Sequence, residues 1–113
     1  MKYIFLINYD PSIPADGTNL LSEHQGLESE LRERGIFESG AGLIPAEHTK
    51  SIRARNGDVL TTDGPFPETK EVLGGYYIIE CRNEEEAAEF ALRIPVEKRA
   101  WVDVRPIALW HRK

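Results

Sequence analysis

Hydrophobic and polar positions follow two periods along the chain, one of two residues and one of about 3.6 residues. Alternating or continuous apolar runs predict strands, because neighbouring side chains of a strand point to opposite faces. Apolar residues spaced by three and four positions predict helices. The pattern predicts strands at residues 2–9, 36–44, 48–55, 58–62, 72–81 and 99–110, and helices at residues 18–34 and 83–94.

Several element boundaries carry specific turn chemistry. Gly35 follows the first helix, where a helix C-terminus favours a residue with positive φ. Asn56 and Gly57 separate two extended runs, and both central residues of a type I′ hairpin turn need positive φ. Asn83 and Glu86 have the spacing of a capping box at the start of the second helix. These signals predict one helix end, one β-hairpin and one helix start.

The order of the predicted elements is β-α-β-(β-β)-α-β. This is the ferredoxin-like split βαβ arrangement of an α+β protein with an added β-hairpin, in a single domain that spans residues 1–113. Two helices cover only one face of such a sheet, so the other face needs an apolar partner. In a chain this short, a second copy placed by a two-fold axis is the simplest partner, and we expect a homodimer.

Charge and composition narrow the possible partners. The chain has 19 acidic and 14 basic side chains, a balance that disfavours nucleic acid or an anionic membrane surface as the main partner. Cys81 is the only cysteine, and its apolar surroundings predict core packing rather than a disulfide or a metal cluster. No apolar run approaches the roughly 20 residues of a membrane helix, and the start lacks the features of a signal peptide. We therefore expect a cytoplasmic protein without a metal or cofactor.

Residues 61–77, TTDGPFPETKEVLGGYY, contain more prolines and glycines than a turn needs. Their DGPF, ETK and LGGYY segments resemble the motif of the YCII-related (DGPF-motif) family, and MKYIFLI, GLIPA, RIP and VDVRPI occupy corresponding places along the chain. The resemblance implies a ferredoxin-like fold that dimerises into an α+β barrel, with a pocket on the sheet face between subunits. Pro67 and the charged stretch VEKRAW, residues 96–101, depart from the family pattern. Gly74 and Gly75 predict a bulge or a close backbone contact.

His24 is the main candidate for chemistry. It is four, three and seven positions from Leu20, Leu27 and Leu31, so it lies on the apolar stripe of the first helix and faces the sheet. A buried imidazole needs a partner. The resemblance implies that a histidine at this place forms half of a His-Asp pair, with Asp63 as the best candidate for the other half. Such a pair raises the pKa of the imidazole and leaves one nitrogen for proton transfer. The alternative is a core histidine, with Asp63 capping its own turn.

Four further residues are candidate ligand contacts. Lys70 and Arg105 are cations suited to an anionic ligand, and each has an alternative role in a structural ion pair. Tyr76 and Tyr77 point to opposite faces of their strand, so one lies in the core and the other is available to line a pocket. The alternation leaves open which tyrosine this is. The four candidates for substrate binding are thus Lys70, Arg105, Tyr76 and the motif residue Phe66.

Two classes of function agree with this sequence. The first is a cofactor-independent isomerase or lyase acting on a small carboxylate-bearing metabolite, with His24 as base, Asp63 as its orienting partner, and Lys70 or Arg105 holding the anion. The second is a noncatalytic ligand-binding or regulatory module that acts through a protein partner. A cavity that contains His24 favours the first class, and a solid interface favours the second.

Overall fold

Four strands form one antiparallel sheet with two helices connecting them. The computed structural model describes residues 1–65 and 71–110. Its elements are β1 Lys2–Tyr9, α1 Leu21–Glu33, β2 Phe37–Gly42, β3 Lys50–Arg55, β4 Asp58–Asp63, β5 Val72–Glu80, α2 Glu84–Arg93 and β6 Ala100–Pro106. The main sheet has the order β2-β5-β1-β6, so β5 lies between the two strands that α1 joins. This order confirms the α+β class and is compatible with the ferredoxin-like fold.

The core lies between the two helices and one face of the main sheet. Phe5 of β1 is fully buried there, and its register partner on β5 is Tyr77. Cys81 is also buried in this layer, which confirms its predicted place and raises the pKa of its thiol to about 11. The remaining buried apolar residues are Tyr3, Leu27, Leu31, Ile79, Ala87, Phe90 and Ile94. Each large side chain buried in this way stabilises the fold by roughly 1.5–3 kcal/mol.

Helix α1 begins later than predicted and ends where predicted. Its first residue is Leu21 rather than residue 18, because the Asn19 side chain accepts a hydrogen bond from the Leu21 N–H and forms a local turn. At the other end Gly35 has φ +71°. The Ile36 N–H donates to the Leu31 carbonyl over 3.1 Å, which is the Schellman arrangement. The predicted glycine stop is therefore confirmed.

Helix α2 has half of the predicted capping box. The Glu86 N–H donates to the Asn83 side-chain oxygen over 2.9 Å, as predicted. The Glu86 carboxylate instead accepts from the backbone N–H and the guanidinium of Arg82. Neither helix, nor any other within residues 1–65 and 71–110, is long and apolar enough to span a membrane.

The predicted hairpin forms a small sheet of its own. Strands β3 and β4 pair with each other, and among the described residues neither pairs with a strand of the main sheet. Asn56 and Gly57 join them with φ values of +52° and +84°, as a type I′ turn requires. The radius of gyration of the chain is 16.0 Å, against about 13 Å for a compact domain of this length. An elongated shape of this kind fits a hairpin that extends from the body.

The second face of the main sheet carries no helix. Ile4, Leu6 and Ile78 point to this helix-free face, opposite the core residues of the same strands. Val102 and Val104 pack on the helix side, so Asp103 and Arg105 lie on the helix-free face, as the alternation in β6 predicts. The dimeric barrel requires a second chain and stays a prediction.

Candidate functional site

A cavity of about 730 Å³ opens on the helix side of the main sheet. It lies where β1 and β2 end and where β5 and β6 begin. The first turns of α1 form one wall, and the segments 43–47 and 95–99 form the others. Its volume is in the range of small-molecule sites, roughly 300–1,000 Å³. The fold therefore provides room for a metabolite beside His24, which lines the cavity.

Glycines shape the floor of the cavity. The pairing of β1 with β5 shifts register between Ile7 and Asn8, opposite Gly75 and Leu73, so Gly74 forms a bulge. A Cβ at Gly75 would lie 2.8 Å from the Ala41 carbonyl oxygen, a distance that real Cβ atoms do not adopt. Both readings of the glycine pair, a bulge and a close backbone contact, are confirmed.

His24 contacts Tyr77 across the helix-sheet boundary. The His24 Nδ1 and the Tyr77 hydroxyl are 2.8 Å apart, and the two rings stack with centroids separated by 5.8 Å. The contact arises because α1 presents its apolar stripe to the sheet face that contains Tyr77. The phenol thus supplies the partner that a half-buried imidazole needs.

Burial sets the protonation states of this pair. It raises the pKa of Tyr77 to about 12, with a smaller contribution from Glu28, so the phenol keeps its proton. Burial also lowers the pKa of His24, against the opposing effects of Glu23 and of the Pro95 carbonyl. The imidazole is therefore neutral at pH 7. A carbonyl only accepts hydrogen bonds, so a neutral His24 that serves both partners carries its proton toward Pro95 and accepts from Tyr77 at Nδ1.

Comparison with known proteins identifies the family. The model of the YCII-related domain matches residues 1–111. The chain belongs to the YCII-related family. An uncharacterized protein of Rhizobium meliloti (strain 1021) is 30% identical over an alignment 117 positions long, which covers 97% of this chain and 94% of the relative. The family assignment agrees with the fold, and the relative carries no stated activity.

The structure of this YCII-related chain does not bring His24 and Asp63 together. Asp63 ends β4, where its side chain is 91% exposed and lies 3.6 Å from the Lys50 Nζ. His24 lines the cavity, and its side chain contacts the Tyr77 hydroxyl. The lowered pKa of His24 is also opposite to the direction expected for an imidazole paired with a carboxylate. Within one chain Tyr77 takes the place predicted for Asp63.

The other predicted contacts are distributed around the molecule. Tyr76 is part of the cavity lining, but it pairs with Leu6, so its side chain points to the helix-free face, where its hydroxyl is 2.8 Å from the Ser39 Oγ. Arg105 is exposed on the helix-free face, away from the cavity. Phe66 and Lys70 lie outside the described residues, so their predicted roles stay predictions.

Arg99 is a cavity residue that the sequence reading did not select. Its guanidinium lies 4.2 Å from the centroid of the Tyr9 ring, pairs with Glu97 and donates to the Ile13 carbonyl over 3.1 Å. It belongs to the charged stretch VEKRAW, and the departure of this stretch from the family pattern was the one sequence feature that could have pointed to Arg99. Besides Glu97, the lining includes the carboxylates of Glu28 and Glu47.

Within residues 1–65 and 71–110, no group of three or more His, Cys, Asp or Glu side chains is placed to hold a metal ion. The residues that line the cavity include an imidazole, phenols, carboxylates and a guanidinium.

Proposed function

We propose that this chain is a homodimeric, cofactor-independent acid-base catalyst that isomerises a small metabolite or eliminates a group from it. The observation that carries the proposal is a neutral, half-buried imidazole that lines a cavity of about 730 Å³ and contacts a protonated phenol. A cavity that contains a titratable group with a shifted pKa is the usual starting hypothesis for an active site.

The pair can move a proton without a cofactor. When the His24 proton is on Nε2, the Tyr77 hydroxyl donates to Nδ1. It can then accept a proton from a carbon next to a substrate carbonyl as it passes its own proton to the imidazole. The result is a protonated His24 and a substrate enolate. Isomerisation returns the proton to another carbon, and elimination expels a leaving group from the neighbouring carbon. General acid-base catalysis of this kind contributes roughly 10²–10⁴-fold in rate.

The ligand class follows from the sequence and is constrained by the cavity. The sequence predicts a small carboxylate-bearing metabolite, and Arg99 is the guanidinium on the cavity wall that could clamp it. Its ion pair with Glu97 competes for that role. The neighbouring carboxylates of Glu28 and Glu47 also oppose an anion, so we expect modest affinity for the carboxylate group.

Among the predicted residues, Asp63 keeps a place in the proposal only through a second copy of the chain, and Lys70 stays a predicted anion contact outside the described residues. Asp63 does not reach His24 in one chain, and Arg105 lies on the helix-free face. In a dimer that joins two helix-free faces, Arg105 would lie in the cleft between the subunits, on the other side of the sheet from His24, so it would hold an anion there and not in the cavity. The assignment of Asp63 as a partner of His24 then depends on a contact made across the dimer.

The test is proton exchange of candidate substrates in D₂O, followed by NMR. A panel of small 2-oxo acids, their amides and β-hydroxy acids is incubated with the parent protein and with two variants. His24→Asn should lower the exchange rate at least 100-fold, the low end of acid-base catalysis. His48→Asn is the matched control, because His48 is exposed and outside the cavity lining. Equal rates in the parent and His24→Asn would refute the catalytic role of His24.

A noncatalytic ligand-binding module is the second candidate. One feature of the site favours it. Tyr77 and the Pro95 carbonyl already occupy the two ring nitrogens of His24 in a single chain, which leaves neither nitrogen open to a substrate. In that case a panel member would shift the ring signals of His24 and Tyr77 without any exchange or turnover. Exchange that depends on His24 would exclude this alternative.

A further inference from the structure

The Tyr9 ring lies between a glycine and a guanidinium on the cavity wall. Tyr9 ends β1 and lines the cavity. Strands β5 and β6 flank β1 in the sheet, so Gly74 of β5 and Arg99, which precedes β6, approach the ring from opposite sides. The Arg99 Cζ is 4.2 Å from the ring centroid, well within the roughly 6 Å of a cation–π contact. The aromatic ring therefore supports one side of the guanidinium.

Gly74 leaves the space that the Tyr9 ring occupies. A Cβ at position 74 would lie 3.2 Å from the Tyr9 Cδ1 and 3.5 Å from its Cε1. The first distance is tighter than most real Cβ contacts, so a side chain at this position would displace the ring. Gly74 is also the extra residue of the bulge between β1 and β5. The bulge thus lets an aromatic ring approach the backbone and reach Arg99.

Arg99 is held in place and keeps donors for a ligand. Its Nε pairs with the Glu97 carboxylate, and its Nη1 donates to the Ile13 carbonyl over 3.1 Å. Among the contacts made by described residues, these two hydrogen bonds use two of the five N–H groups of a guanidinium. The other three suffice for a carboxylate, which binds through two N–H groups in the bidentate arrangement. A guanidinium that is already held loses little further side-chain entropy when an anion binds.

We propose that Tyr9 is a positioning residue that holds Arg99 as the carboxylate-binding group of the cavity, and that Gly74 is required for this arrangement. The inference rests on the proposed function, because it assigns the group that recognises the substrate of the same site. It goes beyond that function by naming two residues that act on the substrate only through Arg99. The planar fork of a guanidinium matches a carboxylate, which places the acid group of the substrate beside Tyr9.

The preference for a carboxylate over its amide is the suitable readout, because it isolates the charge that Arg99 binds. NMR titration of the His24 ring gives the dissociation constants of 4-methyl-2-oxopentanoate and of its amide. The parent should bind the acid at least tenfold more tightly than the amide. Tyr9→Leu should reduce this preference at least fivefold, since an aliphatic side chain does not attract a cation. Tyr9→Phe keeps the aromatic face and should restore the preference to within about twofold of the parent.

A double-mutant cycle tests whether Tyr9 acts through Arg99. Arg99→Gln should abolish the preference, and adding Tyr9→Leu to it should change the preference less than twofold. Gly74→Ala displaces the ring without removing it, so it tests the same contact if Tyr9→Leu disturbs the end of β1. It should lower the preference in the parent and not in Arg99→Gln. An effect of Tyr9→Leu that persists without Arg99 would overturn the positioning role.

Proton exchange of the same two probes separates this inference from the proposed function. Exchange in a parent that binds the acid no more tightly than the amide would overturn the carboxylate site and leave the proposed catalysis intact. Preferential binding of the acid without exchange would overturn the catalysis and leave the carboxylate site in place. A parent that binds neither probe at about 10 mM would overturn the carboxylate site.

Discussion

Replacing Gly75 with alanine tests the close approach of β2 and β5 that forms the cavity floor. The added Cβ would lie 2.8 Å from the Ala41 carbonyl oxygen and 3.3 Å from the Gly42 Cα. Both neighbours are backbone atoms, so the clash is relieved only if one strand shifts. The cross-strand partner Gly42 offers a matched control, because a Cβ there meets nothing within 4 Å.

The expected size of the effect follows from two opposing contributions. Overpacking a well-packed site costs about 1–3 kcal/mol. Alanine in place of glycine recovers roughly 0.5–1 kcal/mol by restricting the unfolded chain. The net loss for Gly75→Ala is therefore about 1–2 kcal/mol. At an unfolding entropy near 2.1 cal/mol/K per residue, this loss lowers the Tm of a 113-residue chain by about 4–8 °C.

Thermal unfolding at one fixed protein concentration is the suitable assay, because a dimer has a concentration-dependent Tm. Gly42→Ala should melt at the parent temperature or up to a few degrees above it. Gly75→Ala should melt well below both. If the two variants melt within about 1 °C of each other, the backbone contact between Ala41 and Gly75 does not exist, and the cavity floor is wider than described.

Other predictions concern the cavity. Burial lowers the pKa of His24, so the unfolded chain binds more protons than the folded chain near pH 6. The stability of the fold should therefore decline as pH falls through about 6.5. His24→Asn should flatten that part of a curve of Tm against pH. NMR titration of His24 should give the same pKa in the parent and in Asp63→Asn, and a fall in the variant would mean that the carboxylate acts from a second chain. Tyr77→Phe should reduce the proposed proton exchange at least tenfold, and equal exchange would exclude the phenol as a relay. Glu97→Gln should free Arg99 and tighten carboxylate binding in calorimetry, and weaker binding would exclude this clamp.

Local backbone chemistry explains why most of the fold could be predicted from sequence. The positive φ of Gly35 and the type I′ turn at Asn56 and Gly57 depend on residues next to each other in the chain. Element ends were less accurate where a side chain competes with the helix. The Asn19 side chain holds the Leu21 N–H in a turn, and so α1 starts three residues later than its apolar pattern indicates.

The direction of the hairpin could not be predicted, since it depends on tertiary packing. The alternation in β3 and β4 predicts two faces, but nothing local states which face meets the body of the chain. In the structure the half-buried Ser51 and Thr62 mark the inner face, and the more apolar face points outward. A pattern that usually identifies a core face here lies on the exposed side of the hairpin.

The position of His24 could be predicted from the sequence, but the residue that it contacts could not. The apolar stripe of α1 places His24 toward the sheet, and a loop carboxylate is the obvious chemical match for an imidazole. Its partner is instead Tyr77, on the sheet face that the helix covers. Side chains alternate between the two faces along β5, and this alternation decides which tyrosine faces the helix. Glu80 shares its face with Tyr76, and a charged residue is rarely directed into a core. The alternation therefore assigns Tyr77 to the helix side, where its hydroxyl contacts the His24 ring.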